Sequence, residues 1–138
     1  MKIKLDPGAY MPTRAYPTDA GLDIRCPQGC GCIVPAKESV KICTGVHVEL
    51  PEGTVGLLKS KSGLMCKHGL VSEGVVDVGY SGEIVVKLFN HSGVDYRIEE
   101  GDKISQLVIV PILTPYIEVV DELEERGRGS RGFGSTGR

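Results

Sequence analysis

Short runs of alternating apolar and polar residues, separated by glycine and proline, dominate the chain. No window repeats apolar positions at three and four residues over the length a long amphipathic helix needs. The clearest run is Gly74-Val75-Val76-Asp77-Val78-Gly79-Tyr80-Ser81-Gly82 followed by Glu83-Ile84-Val85-Val86-Lys87-Leu88-Phe89-Asn90. Two β-branched stretches around Gly79 and Gly82 predict a β-hairpin with an acid and a tyrosine at its mouth. Further strands are predicted at Lys2–Leu5, Leu22–Ile24, Thr54–Leu58, Val94–Ile98 and Ile104–Ile112. Ser39–Cys43 and Val46–Leu50, joined through Thr44-Gly45, predict a second hairpin, and Gly101-Asp102-Lys103 a turn before the last strand. In the strand around Leu22 and Ile24, the alternation turns Asp23 away from the residues that fill the core. One short helix is predicted from Ser62 to His68, with Ser62 as N-cap, Lys67 and His68 in the last turn and Gly69 as the stop.

With 138 residues the chain is long enough for one core. Its 19 glycines and lack of tryptophan agree with an all-β, turn-rich domain. A net charge of -2 supplies no reason to expect a nucleic-acid polymer or a membrane as partner. The charge is unevenly placed: residues 116–125 hold five acids and no base, whereas residues 126–138 hold four arginines and no acid. This divides the chain into a β domain, 1–125, and a C-terminal arm, 126–138. Five cysteines are an odd number and the first residues lack the apolar stretch of a signal peptide, which together predict a cytoplasmic location. Cys26, Cys30 and Cys32 lack a second ligand pair to complete a zinc site, so free thiols in a loop are expected there. His47, His68 and His91 have no ligand spacing and are expected to be ordinary surface or partly packed residues.

Several positions invite chemistry. Asp77 sits between valines, where aspartate is disfavoured; it either caps its own turn or serves a site. Ser62 reads as a cap or, with Lys61 or Lys59 nearby, as part of an anion site at a helix start, and the two roles are compatible. Gln106 interrupts the apolar run Ile104–Val110, so it either finds buried partners or faces a cavity. The arm has one large apolar side chain, Phe133, in thirteen residues and cannot order itself by burial. Its glycines, hydroxyls and arginines nevertheless suit phosphate, and Phe133 offers a face for a base.

Five segments, in order and spacing, resemble the five sequence motifs of the homotrimeric dUTP pyrophosphatases (dUTPases). They are Asp19-Ala20-Gly21-Leu22-Asp23; Lys61-Ser62-Gly63-Leu64; Gly74 to Ile84; Gly101-Asp102-Lys103-Ile104-Ser105-Gln106-Leu107; and Arg128 to Gly137. The resemblance implies a distorted jelly-roll β-barrel subunit, a homotrimer with shared active sites, and Mg²⁺-dependent hydrolysis of dUTP to dUMP and pyrophosphate. It further implies that Asp77 activates the attacking water and that Asp23 holds Mg²⁺ through water. Lys61, Ser62, Gly63 and Gln106 would contact the phosphates, and Tyr80 would pack on the deoxyribose. Gly74, Val75, Val76 and Val85 would meet uracil. Phe133 would close over the base, with Arg128, Gly134, Ser135 and Thr136 on the phosphates. The chain departs from the family's usual pattern in two places: Lys61 stands where arginine is common, and Val71-Ser72-Glu73 occupy a segment that looks shortened before Gly74.

The chemistry suits these residue types on its own terms. A triphosphate needs its charge offset before a nucleophile approaches, and the nucleophile needs an ionised carboxylate such as Asp77. A ring packed on C2′ excludes a ribose hydroxyl, and a backbone donor or acceptor tells uracil from cytosine. Two alternatives share the residues: a nucleotide-binding regulatory protein in which dUTP gates a protein partner, and a dCTP deaminase of related fold, which the arm and the Asp77/Tyr80 hairpin favour less.

Overall fold

A computed structural model describes residues 1–124 and residue 127. Nine strands and one helix follow in the order β1 (Lys2–Leu5), β2 (Gly21–Arg25), β3 (Cys32–Val34), β4 (Ser39–Glu49), β5 (Thr54–Lys59), α1 (Ser62–His68), β6 (Leu70–Val76), β7 (Glu83–Asn90), β8 (Tyr96–Ile98) and β9 (Lys103–Pro111). Seven strands form one antiparallel sheet in the order β1-β4-β7-β6-β5-β9-β2, curled into a half-barrel, and β3 and β8 form a separate pair. The fold is thus all-β, as the alternation predicts.

The inward positions of the strands meet in one core. Leu22 and Ile24 of β2, Leu58 of β5, Leu70 and Val76 of β6, and Ile84, Val86 and Leu88 of β7 are all buried, as are Ile104 and Leu107 of β9. Val34 and Ile98 from the small sheet close one end of it. Asn90 fastens the two sheets together, its buried amide donating to the carbonyls of Val34 (2.9 Å) and Val94 (2.8 Å) while its Oδ1 accepts from Ser92 N (2.9 Å).

Four sequence expectations change. Residues 39–49 form one long strand instead of a hairpin, because Gly45, at φ 64°, takes up a bulge inside it. The register with β7 slips between Cys43 and His47, Thr44 Oγ1 donates to Ile84 O (2.6 Å), and Gly45 N donates to Glu83 Oε2 (3.0 Å). Turn residues inside a strand read as a turn when the partner strand is unknown. Secondly, a strand the sequence does not suggest, β3, forms and pairs with β8; at three residues it is too short to carry a pattern. That pairing puts Cys32 on a strand, while Cys26 and Cys30 are free thiols in the loop between β2 and β3, as expected, with Cys26 fully buried. Thirdly, the helix spans Ser62–His68 as expected, but its N-cap is Lys61 and Ser62 is its first helical residue, with no side-chain cap bond. Gly69, at φ 67°, ends it as expected. Finally, the β6–β7 hairpin is zipped only at its base.

Candidate active site

That half-open hairpin is the first part of the site. Leu70↔Asn90, Val71↔Phe89 and Ser72↔Leu88 pair, after which β6 leaves β7 and pairs with β5 through Gly56↔Val76 to Lys59↔Glu73. Continuing the first register would set Gly74 opposite Val86 and Val76 opposite Ile84, yet no ladder joins those positions. Backbone donors and acceptors on the facing edges are therefore unspent within the sheet. Gly74 lets β6 lie close on β5, since a Cβ there would stand 3.1 Å from Leu58 Cδ1. Val75 is 65% exposed and Val85 is exposed, while Val76 turns into the core.

The connection from 77 to 82 closes the mouth. Tyr80 N donates to Asp77 O (3.2 Å) and Gly79 sits at φ 89°. The Tyr80 ring folds back over its own turn, and its hydroxyl donates to Glu83 O (3.0 Å). Gly82 makes room for that ring, because a Cβ there would lie 2.4 Å from Tyr80 Oη. The Asp77 side chain is exposed and makes no hydrogen bond or ion pair among the described residues. It is a carboxylate held out to solvent on a braced turn.

A second cluster lies around Asp23. Its alternation is as predicted, since Asp23 faces Gln106 across the β2–β9 ladder and Leu22 and Ile24 fill the core. Yet Asp23 is only 3% exposed, because that outer face is covered as well. Lys61 Nζ donates to Oδ1, and Lys103 Nζ forms an ion pair with Oδ2 at 2.6 Å. Burial pushes the Asp23 carboxyl up, but the Lys103 and Lys61 ammoniums outweigh it and hold it below the ordinary carboxylate range.

Serines hold Lys61 in place. Ser60 Oγ donates to Ser72 O (3.1 Å) and accepts from Ser72 N (3.0 Å); Ser72 Oγ donates to Ser105 Oγ (2.9 Å), which donates to Lys59 O (3.2 Å). The end of β5 is thereby pinned to β6 and β9 just before α1. Gln106 Nε2 donates to Ser60 O (3.0 Å), so the glutamine finds a partner and keeps one N–H to spare. Its Oε1 lies where a side chain on residue 21 would be, 2.2 Å from a Cβ built on Gly21. Ser62 and Gly63 open α1, both exposed.

Asp23, Lys61 and Gln106 thus come together, and Asp77, Tyr80, Gly74, Val75, Val76 and Val85 form a separate group. Val76 pairs with Gly56, so Asp77 continues toward Val55, whereas Lys61 follows the opposite end of β5. Four residues of strand at about 3.3 Å each leave roughly 13 Å between Val55 and Lys59. Arg128, Phe133, Gly134, Ser135 and Thr136 lie outside the described residues. Sequence reasoning missed Lys103 and the three serines, and only their positions beside Asp23 and Lys61 mark them. Among the described residues no three metal-ligating side chains cluster, and no helix is long and apolar enough to cross a membrane.

Fold and site together define a small antiparallel half-barrel with two separate polar patches, one a buried acid between two lysines, the other an acid and a tyrosine on an open hairpin. The dUTPase family pattern matches residues 8–137. A deoxyuridine 5′-triphosphate nucleotidohydrolase of Arabidopsis thaliana is 43% identical over 135 residues, covering 97% of this chain and 80% of its own. That of Paramecium bursaria Chlorella virus 1 is 42% identical, covering 97% and 94%. Among solved structures, the dUTPase of Staphylococcus bacteriophage 80alpha with dUpNHpp superposes with a TM-score of 0.91 at 36% identity, covering 99% of this chain and 98% of its own. The chain belongs to the dUTPase family.

Proposed function

We propose that this protein hydrolyses dUTP to dUMP and pyrophosphate, with Asp77 as the base that activates water. A water oxygen bonds to the α-phosphorus, the bond from that phosphorus to the bridging oxygen breaks, and the water proton passes to Asp77. The observation that carries this reading is the half-open hairpin: it sets an unencumbered carboxylate beside unspent backbone groups and a tyrosine ring, on a chain of the dUTPase family. The edges around Gly74, Val75, Val76 and Val85 suit the hydrogen-bonding rim of uracil, and the Tyr80 ring suits the face of a deoxyribose. Lys61, Ser62, Gly63 and Gln106 form the phosphate-binding side, to which the family motif adds Arg128, Phe133, Gly134, Ser135 and Thr136 from the arm.

Mg²⁺ fits Asp23 as an ion delivered with the triphosphate. Mg²⁺ is commonly held by one or two carboxylates plus substrate phosphates with waters retained, and Asp23 is a single buried acid whose two oxygens are paired with Lys61 and Lys103, one of which would move aside for the ion. When bound, the ion would offset triphosphate charge. Lys61 and Lys103 already hold Asp23 ionised, the form a metal needs. The structure of a mutant dUTPase from phage phi11 of S. aureus, 36% identical with a TM-score of 0.81, is described as showing the coordination of a structural Mg(II) ion.

Two observations support a homotrimer with shared sites. The carboxylate turn and the lysine cluster stand at opposite ends of β5. The segment after β9 also leaves the domain with Leu113 92%, Ile117 84% and Leu123 85% exposed, apolar surface that a second copy would cover. A second reading, a dUTP-gated regulator, draws on the 80alpha neighbour, described as one of the phage dUTPases that control transfer of virulence genes.

Release of pyrophosphate from dUTP, dCTP, dTTP and UTP, measured side by side for the parent and Asp77→Asn, tests the proposal. Turnover confined to dUTP is expected, with kcat lowered about 10²- to 10⁴-fold by the substitution and nucleotide binding retained. Tight binding without turnover would leave the regulatory reading, ammonia release would indicate a deaminase, and an Asp77→Asn variant at the parent rate would make Asp77 a turn residue only.

A further inference from the structure

His47 lies on β4, opposite Lys4 of β1 and Glu83 of β7 in the ladders. Its ring reaches the connection that carries Asp77 and Tyr80: Nδ1 lies 2.9 Å from Ser81 O, and Nε2 lies 3.0 Å from Asp6 Oδ2. A backbone carbonyl and a carboxylate can only accept, so both ring nitrogens must donate, and only the imidazolium has two N–H groups. The surroundings favour that form. Hydrogen bonds to Asp6 and to Ser81 O raise the His47 pKa above its ordinary value, against smaller opposing effects of burial and Lys4. Asp6 in turn is held below its usual range by His47 and by Lys4, whose Nζ is 3.1 Å from Asp6 Oδ1. The Glu83 carboxylate is occupied by Gly45 N, and Lys2 and Glu49 pair with each other further along the same edge. His47 retains 18% exposure of its side chain, so its proton exchanges with solvent.

The 77–82 connection has few other anchors. Tyr80 makes one bond inside the turn, to Asp77 O, and one to Glu83 O, the first residue of β7 where the turn ends, and β6 has already parted from β7. Ser81 O is where the turn is tied to another part of the sheet. We propose that His47 is a positioning residue: its imidazolium, bridging Asp6 and Ser81, holds the Asp77/Tyr80 turn in working geometry, and the hold loosens when the ring loses a proton. Neutral imidazole has one N–H and must place a lone pair against either the Ser81 carbonyl or the Asp6 carboxylate. The inference rests on the reading of that turn as catalytic.

The test pairs dUTP kinetics against pH with NMR of the nucleotide-free protein. In the parent, the amide shifts of Tyr80, Ser81 and Gly82 are expected to titrate with the same midpoint as the His47 ring, above 6.5, and kcat to decline on the alkaline side through that midpoint. His47→Asn places an uncharged amide N–H at the Nδ1 position; it should keep kcat within about threefold and lose that alkaline decline. Asp6→Asn should move the midpoint down, and His47→Ala should lower kcat/KM about tenfold across the range. An unchanged pH profile in His47→Asn, or turn shifts that ignore the ring's titration, would overturn the inference, and these readouts stand even if His47→Ala does not fold. Shifts that follow the ring without any change in turnover would overturn the positioning role, whereas a parent that does not hydrolyse dUTP would overturn the catalytic reading beneath it.

Discussion

Replacing Asp23 by asparagine keeps the side-chain volume and removes the charge that two lysines share. Breaking a buried ion pair by removing one partner costs about 3 to 5 kcal/mol when the remaining charge is trapped. Here the Lys61 and Lys103 side chains are 25% and 37% exposed, so both ammoniums can swing to water and the cost drops below that range. Hydrogen bonds to charged groups contribute roughly 1.5 to 3 kcal/mol each, and with both ammoniums able to reach water the loss is set at about 2 to 3 kcal/mol for the two lysine contacts together. For 138 residues, at roughly 2.1 cal/mol/K of unfolding entropy per residue, Tm should fall by about 7 to 10 °C. The assay is thermal unfolding at pH 7, without nucleotide and at matched protein concentration, because self-association shifts Tm. The pH dependence has a definite sign. The Asp23 carboxyl is depressed from 3.8, so as pH falls the unfolded chain binds its proton first. The contribution is present above 3.8 and is lost as pH drops through the folded value, so parent and variant should converge in acid. A Tm within about 2 °C of the parent at pH 7 would refute the reasoning, since it would mean the lysines do nothing for Asp23 that water cannot do.

Gly82→Ala should push the Tyr80 ring off its turn, since the new Cβ would lie 2.5 Å from Cζ, and break the bond to Glu83 O at a cost of about 1 kcal/mol. The ratio of dUTP to UTP hydrolysis should then fall several-fold, and an unchanged ratio would remove Tyr80 from sugar selection. Leu113→Asp with Ile117→Asp alters two fully exposed positions of the single chain, so unfolding of an isolated subunit would be unaffected. In a trimer those positions should be covered. Sedimentation should give three times 14.8 kDa for the parent and one chain mass for the double variant, and a monomeric parent would end the shared-site proposal.

Periodicity and turn chemistry were enough to determine the all-β class, the short helix with its Gly69 stop, and the hairpin that holds Asp77 and Tyr80. Those features depend on neighbours in the chain: alternation sets which side chain is buried, and glycine sets where φ turns positive. The motif residues stood in the sequence too, since their types and spacing are local. Tertiary structure decided the rest, where the outcome depends on which strands become partners. Gly45 reads as a turn until β4 is seen running past β7, because a bulge and a hairpin need the same positive φ. The opening of the β6–β7 hairpin follows from β5 drawing β6 away, and no residue in the hairpin announces it. Asp23 reads as outward-facing because alternation names a face but not what covers it; Lys61 and Lys103, 38 and 80 positions away along the chain, supply the cover. His47 looked ordinary for the same reason, since the acceptors that require its second proton come from Asp6 and Ser81, brought to it only when β1 and β7 flank β4.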